Sequence, residues 1–146
     1  MQLLTTQGLT HEQGAKVATL MGWDLSKPVA LLMDRKGITP EDACKMESEY
    51  RRYQTLNTLY PQQRFPISNA VDEMWHAHLL FTRDYDAMSL ATRGSFIHHH
   101  PTVNEAERVS LEPAYYNGTL PALEALFGPV DPVMWPASDQ ICWSCS

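Results

Sequence analysis

At 146 residues, 44% hydrophobic and 19% charged, the chain is long enough to bury one core and too apolar to stay disordered. A formal net charge of −6, with no Lys/Arg block, argues against a nucleic-acid partner. No apolar run approaches the ~20 residues of a membrane span, the N-terminus lacks a signal-peptide pattern, and three cysteines make a disulfide framework a poor expectation, so a cytoplasmic protein is expected.

Helix signals follow one another along the chain. Thr10 can cap a helix reaching about Met21 and closed by Gly22. Ser26 precedes "KPVALLMDRK", with Pro28 early and Gly37 just past the end. The clearest helix follows: Thr39 as N-cap, Pro40 in the first position, Glu41 and Asp42 at the positive end of the dipole, and Pro61 beyond the end. Ala43, Met46, Tyr50, Tyr53 and Leu56 make its apolar face. Cys44 reads as a small buried residue of this helix, and Arg51 and Arg52 as a solvated face or as partners of Glu47 or Glu49.

Residues 61–67 form a loop, and Ser68 can cap a helix running to about Leu90. The stretch "ATRGSFIHHHPTV" is irregular, with Gly94 permitting unusual backbone angles and Pro101 holding His100 extended. Further helices are expected near 104–111, before Pro113, and around 119–127, closed by Gly128. Tyr115 and Tyr116 read as core and capping residues, and Trp135-Pro136 as an aromatic anchor for an extended tail. No run of alternating strands is visible. The predicted fold is all-α: an irregular helical bundle, one domain over 1–136, with a tail at 137–146.

Five of the six histidines fall between positions 76 and 100. On the helix over 69–90, Asp72 and His76 stand at i and i+4 and share a face. His78 lies roughly 200° around the helix from His76. A regular helix therefore gives the two imidazoles different directions, and His78 lines up with Thr82 and Tyr85. In an extended stretch His98 and His100 point one way and His99 the other. If this loop folds back over the helix, its imidazoles meet Asp72 and His76.

The candidate ligand set is thus Asp72, His76, His78, His98 and His99, with Trp75, Tyr85 and Phe96 as walls. Such nitrogen and oxygen donors suit a transition metal, zinc first among them. Cys142 and Cys145, a lone CxxC, are possible extra ligands.

Three functional readings remain open. In the first, the metal has a structural or binding role. In the second, it keeps an open position and serves a hydrolytic or oxygen-activating enzyme. In the third, the histidines bind no metal, are satisfied by backbone carbonyls, and belong to an interaction module for an unknown protein partner or to a subunit of a larger assembly, with an exposed apolar patch. No nucleophile elbow, phosphate loop or kinase signature occurs.

"VDEMWHAHLLFTRDY", "GSFIHHHP" and "YYNGTLPALEALFG" together resemble the glycine-rich domain-containing protein-like family, a domain of unknown function, over about residues 45–136. The matching positions are Val71, Asp72, Trp75, His76, His78, Thr82, Tyr85, Gly94, Phe96, His98, His99, Pro101, Thr119, Phe127 and Gly128. The chain departs from the pattern in having "DYDAM" where relatives carry a cysteine, Phe81 in place of an acidic residue, and only "CWSCS" for a Gly/Cys-rich tail. The resemblance implies a helical domain with a His/Asp/Trp centre and carries no reaction with it.

Overall fold

The computed structural model describes residues 8–137, and among these there is no strand. The helices are α1 (His11–Met21), α2 (Ser26–Lys36), α3 (Pro40–Leu59), α4 (Asn69–Leu79), α5 (Thr82–Thr92), α6 (Glu105–Ala114) and α7 (Leu120–Phe127). The all-α expectation holds. None of these helices is long and apolar enough to cross a membrane.

Local chemistry accounts for most of the ends. Thr10 forms a full capping box with Gln13, and Thr39 accepts from the Asp42 amide ahead of Pro40. Helix α2 ends at Gly37 in the left-handed region, φ 64°, as a glycine C-cap should. At its start Ser26 is already helical, and Asp24 Oδ1 takes the Ser26 amide instead.

Helix α3 runs through the middle of the molecule and packs against α1, α2, α4 and α7. Its predicted face of Ala43, Met46, Tyr50, Tyr53 and Leu56 is fully buried. Cys44, expected inside, is exposed: it follows Ala43 by one residue, and a step of about 100° carries it off the buried face. Arg51 bonds to Glu47 and to the Leu20 and Trp23 carbonyls, tying α1 to α3. Arg52 pairs with Glu49.

Two departures from the expected elements matter for the site. The helix predicted over 69–90 is broken at Leu80 and Phe81, where Phe81 takes φ −91° and ψ 70°. The second lies beyond Pro113. The helices expected to be separate there are joined by a π-helical turn over Tyr115–Thr119, closed by the Leu120 amide on the Tyr115 carbonyl. Pro113 lies inside α6 and Pro121 in the first turn of α7, on either side of this turn. Trp135 is fully buried, stacks on Tyr53 and donates to Glu49 Oε1 at 2.9 Å. It anchors the segment after α7 as the sequence suggests.

Candidate metal centre

Ser68 starts α4, accepting from the Val71 amide while donating to the Met134 carbonyl. That places Asp72 in the first turn, where the helix dipole favours an ionised carboxylate. Asp72 is 1% exposed. A carboxylate so buried needs partners. One turn on, His76 Nε2 lies 2.8 Å from Asp72 Oδ2.

The second imidazole arrives from the segment after α5. Gly94, at φ 90°, turns the chain, and the next residues alternate as an extended segment does. Ile97 is buried and His99 faces inward, whereas Phe96, His98 and His100 are exposed. Tyr85 fixes the register, its hydroxyl accepting from Trp75 Nε1 at 2.9 Å and donating to the Ile97 carbonyl at 2.5 Å. His99 Nε2 thereby comes to 2.7 Å from Asp72 Oδ1. Its ring stands edge-on to Trp75, centroids 4.5 Å apart, and 4.9 Å from the His76 ring.

Each carboxylate oxygen of Asp72 therefore faces one imidazole nitrogen, and the three side chains present donor atoms within 4.8 Å of one another. The two contacts differ. His99 makes a directed hydrogen bond. His76 Nε2, although close and buried, has no partner along a hydrogen-bonding direction. The Asp72 carboxylate still holds the His76 pKa above the usual imidazole range, against the opposing effect of burial.

These contacts can be compared with coordination geometry. Donors around a tetrahedral zinc, with bonds of 2.0–2.1 Å, lie about 3.3 Å apart. Cis donors of an octahedral ion with 2.1 Å bonds lie about 3.0 Å apart. The two His–Asp contacts, 2.8 and 2.7 Å, are shorter than these donor separations by a few tenths of an ångström.

His78 lies elsewhere, fully buried on the other side of α4. Its Nδ1 is 2.7 Å from the Tyr50 hydroxyl and its Nε2 is 2.7 Å from Asp84 Oδ2, which also accepts from Trp23 Nε1 at 3.1 Å. Burial lowers the His78 pKa and raises that of Tyr50 far above its ordinary value. A neutral imidazole that accepts from Tyr50 and donates from Nε2 to Asp84 satisfies every group. Sequence reasoning missed Tyr50, Asp84 and Trp23 as the partners of His78. His78 and Asp84, six residues apart, would point about 240° apart on an unbroken helix. The break at Leu80–Phe81 brings them together.

Among the other predicted residues, Trp75 walls the centre directly, and Tyr85 acts one step back through Trp75 and Ile97. Phe96 packs on Tyr85 and His98, away from Asp72. His98, beside Phe96 and His100, is not brought to the carboxylate. Cys142 and Cys145 lie outside the described residues. The Nε2 atoms of His76, His78 and His99 all face carboxylates, whereas the metal-free reading expected backbone carbonyls.

No curated protein and no solved structure matches the chain significantly. The resemblance to the glycine-rich domain-containing protein-like family is overturned by the family model that does match, which describes a different, uncharacterised family. The motifs behind that resemblance lie at 71–85, 94–101 and 115–128; the family match starts well before the first of them and ends before the third. It covers residues 21–112, more than half of the chain, and includes Asp72, His76 and His99: the chain belongs to the UCP032817-like family.

Proposed function

We propose that the chain is a metal-binding protein whose ion, zinc in the first instance, is held by Asp72, His76 and His99. One observation carries this reading. A carboxylate that is 1% exposed has a different imidazole nitrogen within 2.8 Å of each oxygen, and one of those nitrogens is buried without a directed hydrogen bond. Two imidazoles and a carboxylate from two separate segments form a recognised donor set for zinc or iron. Bound there, the ion would clamp the 93–103 segment onto α4, a structural or binding role. A cytoplasmic location, expected from the sequence, belongs to the same proposal.

A second reading is favoured by the number of ligands. Structural zinc sites are generally closed by four protein ligands, whereas catalytic sites keep three and leave a position open. Among the described residues, which do not include Cys142 and Cys145, Asp72, His76 and His99 are three. On this reading the centre would activate water or oxygen in a metal-dependent enzyme.

Calorimetric titration of chelator-treated protein with zinc tests the ligand set. About one equivalent should bind, His76→Ala and His99→Ala should each weaken binding by about tenfold or more, and His98→Ala and His100→Ala should bind as wild type. Equal losses in all four variants would instead point to diffuse surface binding by the histidine run.

A further inference from the structure

His99 has a second role in the architecture, as part of the wall of a cavity of about 230 Å³. Tyr53, Phe65 and Trp75, all buried, form its apolar floor. Arg64, Arg93 and His98 lie around it, and among the described residues no aspartate or glutamate does. The chain as a whole has 17 acidic residues against 11 lysines and arginines, so two arginines with no carboxylate beside them in the lining run against the composition. Among the described residues neither arginine has an acidic partner. Arg93 donates from Nη2 to the Pro61 carbonyl at 2.7 Å, and its buried Nε has no hydrogen-bond partner. A guanidinium without an acidic partner is well suited to a carboxylate.

We infer that this cavity binds a small organic carboxylate, with its head on Arg93 and Arg64 and its apolar body on Tyr53, Phe65 and Trp75. An apolar cavity of ~150 Å³ already admits benzene, so an acid the size of benzoate fits this one. The floor and the arginines do not depend on the metal, and the acid should bind with or without it. Of the three proposed ligands His99 alone lines the cavity, so an acid bound there would lie beside an ion held by His99.

The test is titration of chelator-treated, ¹⁵N-labelled protein with benzoate, benzamide and inorganic phosphate, followed by NMR and calorimetry. Benzoate should bind saturably and shift the Trp75 indole N–H. Benzamide, of the same shape without the charge, should bind about tenfold more weakly, as should inorganic phosphate, which has no apolar body. Arg64→Gln, at an exposed position with no described hydrogen bond, should weaken benzoate several-fold while leaving the melting temperature unchanged. Arg93→Gln should weaken it about tenfold. The inference is overturned if benzamide or phosphate binds as well as benzoate, if benzoate does not saturate below about 10 mM, or if Arg64→Gln binds as wild type. Because the protein is metal-free throughout, these outcomes are independent of whether zinc binds.

Discussion

Replacing Tyr85 by Phe removes one oxygen atom and, with it, both hydrogen bonds that fix the segment carrying His99. Tyr85 is 1% exposed, Trp75 is 4% and Ile97 is 2%. Burial pushes the Tyr85 phenol up to about 12, so near neutral pH the hydroxyl is protonated and donates to the Ile97 carbonyl while accepting from Trp75 Nε1. The variant leaves a buried N–H and a buried C=O without that partner. Each such group costs about 1–3 kcal/mol, and partial relaxation brings the expected total to about 2–4 kcal/mol. The volume change is small, so no cavity cost is added. That loss is a large share of a typical 5–15 kcal/mol stability. Urea unfolding of chelator-treated protein should show the midpoint falling with the slope unchanged. Zinc titration should also show weaker binding, because His99 is no longer held at Asp72. A stability loss below about 0.5 kcal/mol would refute the reasoning, since the segment would then be held by something other than this hydroxyl.

Trp135→Phe removes the donor to Glu49 Oε1 and leaves unfilled space at a fully buried position; a loss of about 2–4 kcal/mol in urea unfolding is expected. Gly37→Ala should cost about 1–2 kcal/mol, entirely from the backbone at φ 64°, because an added Cβ would meet nothing within 4 Å. Two histidines move stability with pH in opposite directions. The His78 pKa is lowered in the folded state, so its contribution is complete above the unfolded value of 6.5 and is lost as pH falls toward the folded one. The His76 pKa is raised, so its contribution is complete below 6.5 and is lost as pH rises through the folded value. In chelator-treated His76→Gln the His78 effect should therefore dominate, with exposed His100, also lowered, adding in the same sense. The urea midpoint should fall between about pH 7.5 and about pH 5.5, and a rise would show that His78 is not held neutral. In wild type, zinc must displace the proton that Asp72 favours on His76, so zinc affinity should fall on acidification from above the ordinary imidazole range.

Much of the scaffold was legible wherever local chemistry decides. Thr10, Thr39 and Ser68 cap as expected, Gly37 and Gly94 take the positive φ their positions call for, and the face from Ala43 to Leu56 is buried. The i, i+4 pairing of Asp72 with His76 follows from helix geometry, and the alternation that turns His99 inward and leaves His98 and His100 outside follows from an extended backbone. The break after Leu79 was not legible. "LLF" contains neither glycine nor proline, and the break is sustained by contacts formed only in the folded molecule, with Asp84 reaching His78 and Trp23. The π-helical turn was hidden for a related reason: Pro113 signals an end, but Tyr115 and Thr119 are drawn inward by packing and by the Thr119 bond to the Pro66 carbonyl. The cavity beside His99 joins Arg64 of one loop with Arg93 at the end of α5, a pairing that no local pattern in the sequence encodes.

The most direct measurement is the metal content, by inductively coupled plasma mass spectrometry, of untagged protein from zinc- and iron-supplemented medium. It should be made beside the His76→Ala/His99→Ala variant, with circular dichroism showing both to be helical. A centre built on Asp72, His76 and His99 predicts about one equivalent of a transition metal in wild type and its loss in the folded variant. Metal-free wild type, or a variant that retains the ion, would contradict it and leave Asp72 with its two imidazoles as a clamp between α4 and the segment after α5.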